Sequence, residues 1–455
     1  MLLFLCSFAI FANAENLVTV TTDLGDIQGF HVDYGTDSSQ LYYGNADIFL
    51  GIPYVEPPLG DLRFAKPKPI TKFPQPMINA TSWKPACPQA EPCGTMKAPY
   101  DEDCLYLNVF APNGSRTPAN KAVMVFIHGG SFDSGCAQEY PYKAGVRTFV
   151  SQDVIVVTIQ YRLGFWGFFT TLTDDYPANR GLLDQIEALK WVQNNIAKFG
   201  GDPKKVTIFG ESAGSASVSA HSFSPLSRGL FAQTIQESGA ALTCLKTIAQ
   251  SVEQAGKMYT GQVFSSLMQQ EVDFYLANNN TNVYLWEQSY ASNVGRIYRL
   301  PGDWDPVPHC AELFFMWVPE DEWTRAINAS EVIPFDWEVA NWYSKTWTTF
   351  AKTGKPTTDD SWTAVRKDAN LYWRLDKPEK RGMQMGDSWR EVDSVLWNRV
   401  FPSIMAQPIT TSSSSSPSQP STSLSTAPTD STKTSIPSFR IFNIVLVLVL
   451  GLLKL

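Results

Sequence analysis

The stretch Val206–Ala220, VTIFGESAGSASVSA, constrains this chain more than any other. A β-branched and aromatic run, Val206–Phe209, meets Gly210-Glu211-Ser212-Ala213-Gly214, and small residues suited to close helix packing follow. The pattern specifies a strand, a sharp turn and a helix start, with Ser212 at the apex. Glycine two positions either side of the serine lets the backbone take a strained corner without Cβ clashes. A hydroxyl placed there projects above the sheet, and the helix N-terminus behind it favours developing negative charge. Alone, the motif is also a common small-residue turn. Its setting between strand and helix, and a second motif upstream, point to nucleophilic catalysis.

That second motif follows Val123–Ile127, a nearly all-apolar run expected of a central strand covered on both faces. It leads into His128-Gly129-Gly130-Ser131-Phe132. Glycines after a buried strand can simply end it. Paired with a serine corner, they suggest an oxyanion hole, in which the loop supplies backbone N–H groups from one side. The N–H of Ala213, just after the serine, supplies the other.

The remaining pattern predicts an α/β class. Leu17–Phe30 alternates around Gly25 and Gly29 as an N-terminal hairpin. Phe49–Pro69 is proline-rich and is expected to be an irregular loop. Leu105–Phe110 and Val154–Tyr161 read as strands, and Leu182–Phe199 as a helix stopped by Gly200-Gly201. Strands alternating with helices predict a mostly parallel central sheet flanked by helices. Beyond Ala241 the signal weakens to a strand at Val283–Trp286 and a helix at Phe335–Gly354. A formal charge of −8 without a basic cluster argues against nucleic acid or anionic lipid as a partner.

The ends predict a secreted, tethered protein. Residues 1–14 form an apolar run closing on Ala12-Asn13-Ala14, a signal-peptide cleavage pattern. Residues 15–406 are then the folded domain. Residues 407–438, dominated by serine, threonine and proline, predict a disordered stalk. The apolar tail within 439–455 offers a final run of fifteen residues, about 22 Å of helix against a hydrocarbon core of ~30 Å. A short tail after a polar spacer predicts a GPI-anchor signal; a tilted single span is the other reading. Sequons at Asn79, Asn113, Asn279 and Asn328 fit glycosylation. Cys6 leaves with the signal, and six cysteines remain, which allow fifteen complete pairings. No cysteine spacing resembles a zinc site.

On its longer segments the chain resembles the type-B carboxylesterase/cholinesterase family of α/β-hydrolases. The carriers are FLGIPYVEPPLGDLRF (49–64), EDCLYLNVFAP (102–112), FIHGGSFDSG (126–135), YRLGFWGF (161–168) and the run from Asn179 through the serine corner to Val218. The resemblance implies an α/β-hydrolase fold and carboxylic-ester hydrolysis through an acyl-enzyme, with no metal or other cofactor. It makes Ser212 the nucleophile, Glu211 its acidic neighbour in the elbow, and Gly129, Gly130, Ser131 and Ala213 the oxyanion hole. Ser131 stands where many members carry a third glycine. It also implies a Cys87–Cys104 disulfide and leaves Cys93 without an assigned partner. Between those two cysteines there is no tryptophan, the residue with which cholinesterases hold a quaternary ammonium.

A base and an acid must follow the serine in the order Ser, acid, His. Of four histidines, His31, His128 and His221 lie before or close to the corner, so His309 is the candidate base. Its segment, Val307–Phe314, resembles the family's His-Gly-x-Glu-Leu stretch with Cys310 in place of the glycine. The acid is not identified. His309 follows Ser212 by only 97 positions, less than half of the family interval, and no Asp-Glu-Gly-like segment lies between. Glu253, Glu271, Asp273, Asp303 and Asp305 are available, none in a matching context. The gap falls near Leu245–Thr260 and leaves the fold incomplete in its C-terminal half. Three readings stay open: a shortened gene model or splice form, a substitute local carboxylate, or a weakly active relative kept for binding. The sequence therefore predicts a serine hydrolase acting on small-molecule esters at the cell surface. The competing class is a cholinesterase-like adhesion protein that engages a protein partner.

Overall fold

The computed structural model describes residues 16–89, 93, 99–114, 116–171, 176–241, 266–294, 307, 309–366, 368–377, 379, 382–387 and 389. The signal peptide, stalk and tail read from the sequence lie outside these, as do Cys244, Glu253, Asp303 and Asp305. Among the described residues no helix is long and apolar enough to cross a membrane.

Strands β1 (Leu17–Thr22), β2 (Gly25–Asp33), β3 (Asn45–Pro53), β4 (Met77–Asn79), β5 (Tyr106–Pro112), β6 (Lys121–Ile127), β7 (Ile155–Ile159), β8 (Gly201–Glu211) and β9 (Gln233–Glu237) form one nine-stranded sheet. Its order is β1-β2-β3-β5-β7-β6-β8-β9, with β4 beside β2. A separate small sheet holds β10 (Trp286–Gln288), β11 (Tyr372–Leu375) and β12 (Met383–Gly386). Among the described residues the helices are α1 (Tyr142–Thr148), α2 (Gly164–Phe168), α3 (Arg180–Asn195), α4 (Ala213–Phe223), α5 (Ser266–Ala277), α6 (Leu313–Met316), α7 (Glu320–Asn328) and α8 (Pro334–Thr353).

The large sheet is mixed. Its first half, from β1 to the β5–β7 pair, runs antiparallel, and parallel pairing is confined to β7-β6-β8-β9 and the β2–β4 pair. The parallel half carries the serine corner. β6 shows why it reads as almost purely apolar. Val123, Val125 and Ile127 enter one core with α3 and α4, whereas Met124 and Phe126 enter another with α1 and α8. Alternate side chains thus feed two opposite layers, and a polar residue on either face would lose water without gaining a partner.

The N-terminal hairpin and the helix at α8 fall where the sequence puts them. The α3 helix ends in a 3-10 turn, Ile196–Phe199, and closes at Gly200 with φ +93°, a left-handed stop suited to glycine. Two expectations need correction. Phe49–Pro53 is not loop but the end of β3, which keeps pairing with β5 by bulging between Phe49 and Ile52, where Gly51 takes φ +73°. The strand expected at Val283–Trp286 starts at Trp286. Before it, Val283 and Leu285 accept single bonds from Val365 and Trp373 without a continuous ladder.

An ion pair fixes the loop after β7. Arg162 donates from Nε and Nη2 to Asp184 on α3 at 2.8 and 2.7 Å, and from Nη1 to the carbonyls of Arg63 and Ala65. Both side chains are buried, so each charge depends on the other. Among the described residues the sheet ends at β9. A cavity of about 1060 Å³ is lined by Gln233–Gln236 of β9, by Trp286–Gln288 of β10, and by His309 and Glu312. Ser212 is not among its lining residues.

Candidate active site

The corner at Ser212 is built by steric exclusion. Ser212 has φ 55° and ψ −118°, a region that side-chain-bearing residues rarely enter. A Cβ on Gly210 would lie 2.5 Å from the Ile127 carbonyl oxygen, and one on Gly214 only 2.0 Å from it. The glycines are therefore required by the close approach of β6. The corner is also clamped from β9: Ser212 N–H donates to Glu237 O at 2.9 Å, and Ser215 Oγ donates to Gly239 O at 2.6 Å. Gly214→Ala should cost more stability than the ~1–3 kcal/mol of ordinary overpacking, because the obstacle is backbone. A thermal melt checks this, and a wild-type melting temperature would show that β6 can move aside.

The loop after β6 lies against this corner. A Cβ on Gly129 would sit 2.7 Å from both Glu211 O and Glu211 Oε2, and 3.1 Å from Ser212 Cβ. Gly130 takes φ +101° and Ser131 φ 56°. Among the described residues, no hydrogen bond uses the N–H of Gly129, Gly130, Ser131 or Ala213. Donors without acceptors, in a loop whose Gly129 lies against the corner, are what an anion-binding hole requires. The Ser131 side chain is exposed, so the serine that replaces a glycine is carried by a left-handed backbone rather than by space inside the site. His128 braces the loop. Its ring stacks on Tyr161 at 4.5 Å, Nδ1 meets Gly129 O at 2.9 Å, and burial lowers its pKa to about 4.

His221 and His31 are structural. His221 is buried between Ser227 Oγ and Gln185 Oε1, and His31 meets Asp47. His309 is the histidine brought to the corner. Its Nε2 lies 3.1 Å from Glu211 Oε1, and the Cys310 thiol donates to the same oxygen at 2.9 Å. No Ser212–His309 hydrogen bond is present among the described residues. The imidazole instead bonds to the carboxylate of the residue preceding the serine. Of the acids weighed from the sequence, Glu271 is engaged by Ser219, Gln236 and Tyr275, and Asp273 by Gln269. Glu211 was legible only as a turn residue, since nothing local pairs it with a histidine 98 positions later.

Electrostatics around Glu211 are unusual. Burial, and then the charge of Glu312, raise its pKa to about 8, and the Cys310 bond opposes this. Burial lowers His309. The 3.1 Å contact resembles an ion pair, but desolvation pushes both groups toward neutrality. Near pH 7 it is better described as a carboxyl O–H donating to a neutral imidazole. Glu237 and Glu312 are also buried and raised. Tyr140 faces the same group and is raised by burial, then by the charges of Glu139 and Glu211.

The disulfide Cys87–Cys104 is present, and Cys93 pairs with Cys136, a partner that spacing could not select. Asn79, Asn113, Asn279 and Asn328 are all exposed.

Comparison with known proteins agrees with this geometry. The sequence profile of the carboxylesterase family matches residues 16–260 and 245–397. Carboxylesterase 1E of Mus musculus is 48% identical over 208 residues, which cover 43% of this chain and 36% of that protein. Carboxylesterase 1E of Rattus norvegicus is 42% identical over 254 residues, covering 53% and 44%. The chain thus spans well under half the length of these relatives. A solved thermophilic pNB esterase superposes with a TM-score of 0.60 at 25% identity, covering 83% of this chain and 99% of that one. With the profile matching more than half of its residues on an α/β-hydrolase sheet, the chain belongs to the carboxylesterase family.

Proposed function

We propose that the protein is a serine hydrolase of carboxylic esters, with Ser212 as nucleophile and His309 as base. The observation that carries this is the strained serine corner facing unpaired loop amides, with the imidazole bonded to the adjacent carboxylate. In the acylation step His309 takes the Ser212 proton, and Oγ attacks the ester carbonyl. The N–H groups of Gly129, Gly130, Ser131 and Ala213 hold the oxyanion. The C–O bond to the alcohol then breaks, with the proton returned to the leaving oxygen. Water, deprotonated by the same imidazole, releases the acid. Glu211 takes the orienting role: when ionised it accepts a hydrogen bond from Nε2–H and leaves the other ring nitrogen free to act as base. In unliganded sites such hydrogen bonds are often loose and tighten with substrate, which fits the missing Ser212–His309 bond.

The test is reaction with a fluorophosphonate and mass mapping of the adduct. Modification of the peptide carrying Ser212 supports the reading. A folded, unlabelled protein would instead support the non-catalytic adhesion class.

Two disulfides and four exposed sequons support a secretory-pathway, glycosylated protein. The GPI signal stays part of this proposal on the strength of the sequence pattern. Glycosidase treatment of the expressed chain should lower its apparent mass; an unchanged mass would remove the glycoprotein assignment.

A further inference from the structure

Three donor atoms of different chemistry converge at the base of the serine corner. Glu211 Oε1, His309 Nε2 and Cys310 Sγ lie within 4.8 Å of one another, with N···O 3.1 Å and S···O 2.9 Å. Metal–ligand distances of ~2.0 Å for nitrogen and oxygen and ~2.3 Å for sulfur put neighbouring donors of a tetrahedral site roughly 3–4 Å apart. The observed spacing needs only a small expansion to reach that. Cys310 takes φ 69°, and this left-handed turn accompanies the convergence of two consecutive side chains on one carboxylate.

Two further observations point to a cation. Glu237, fully buried and paired across the sheet with Glu211, has an Oε2 with no hydrogen-bond partner among the described residues. His309 also lines the large cavity and is partly exposed, which gives an ion a route in. Among the described cysteines, Cys310 is the free thiol.

We propose that Glu211, His309 and Cys310 form a site for a thiophilic divalent cation of the zinc class, with water as the fourth ligand. Binding releases the thiol proton to solvent and leaves the metal on thiolate, imidazole and carboxylate. The consequence, which rests on the hydrolase reading, is inhibition: the ion occupies the imidazole and its orienting acid together. Soft thiolate and borderline imidazole with one carboxylate favour zinc over magnesium or calcium.

The full chain, stripped by chelator, is titrated with cobalt(II). A thiolate-to-cobalt charge-transfer band saturating at one metal per chain is expected, displaced by zinc and lost in Cys310→Ser. Calorimetric zinc affinity should fall more than about 10-fold in that variant, the scale on which even outer-shell changes act. Absence of the band in folded protein, or its survival in Cys310→Ser, overturns the proposal. A chain that shows the band but resists fluorophosphonate keeps the metal site and loses the hydrolase reading. A labelled chain without the band does the reverse.

Discussion

Ser212→Ala is expected to lower turnover of a simple carboxylic ester by about 10⁵- to 10⁶-fold and to abolish fluorophosphonate labelling. The size of the loss follows from the division of labour at the corner. The loop amides of Gly129, Gly130 and Ser131 would still stabilise an oxyanion, but no covalent acyl intermediate could form. Alanine keeps a Cβ and the same backbone demand, so the clamp from Ser212 N–H to Glu237 O survives. The melting temperature should therefore stay near wild type while activity vanishes. Steady-state hydrolysis beside a thermal melt measures both. A variant that retains more than a hundredth of wild-type turnover would remove Ser212 from the mechanism.

Glu211→Gln should cost about 10⁴-fold in turnover, the usual effect of giving the base a partner that no longer selects its tautomer. Here the loss has a pH signature. Glu211 is raised to about 8. Below that the Glu211 carboxyl keeps its proton and donates it as a hydrogen bond to His309 Nε2, so the neutral ring carries its hydrogen on the other nitrogen and no basic site is left. In wild type, kcat/KM should rise as pH passes through about 8, and in Glu211→Gln that limb should disappear. Assays need a chelator so that no cation occupies the group.

Stability runs the other way. A carboxyl raised in the folded state holds a proton that the unfolded chain, with an ordinary value near 4.5, has already shed. Its contribution is complete below pH 4.5 and is lost as pH climbs through about 8. Urea unfolding at pH 5 and pH 8 should show wild type weakening at the higher pH and Glu211→Gln weakening less. An unchanged activity profile in the variant would show that Glu211 does not orient the imidazole.

These expectations draw on two kinds of information. The serine corner and the glycine loop were legible because close backbone approach leaves glycine as a signature in a short window: a Cβ on Gly210 would meet the Gly214 backbone within the corner as well as Ile127 O on β6. The apolar β6 was legible because its alternate residues must satisfy two cores at once. The strand start at Trp286 was less so, since its pairing depends on β11, more than eighty residues away.

What sequence could not supply were contacts between side chains far apart in the chain. Cys93–Cys136 depends on how two loops meet, and fifteen pairings satisfy the count equally. His309 proved to meet Glu211, a residue whose position beside Ser212 gave no hint of that contact. Burial then shifted both groups toward their neutral forms, an effect of the surrounding low-dielectric volume that no short window of residues encodes. The sequence by itself determined where the serine corner stands and what backbone must hold it. Only the tertiary structure decided which carboxylate faces His309 and that burial favours the neutral form of both, because distance and desolvation belong to the folded chain.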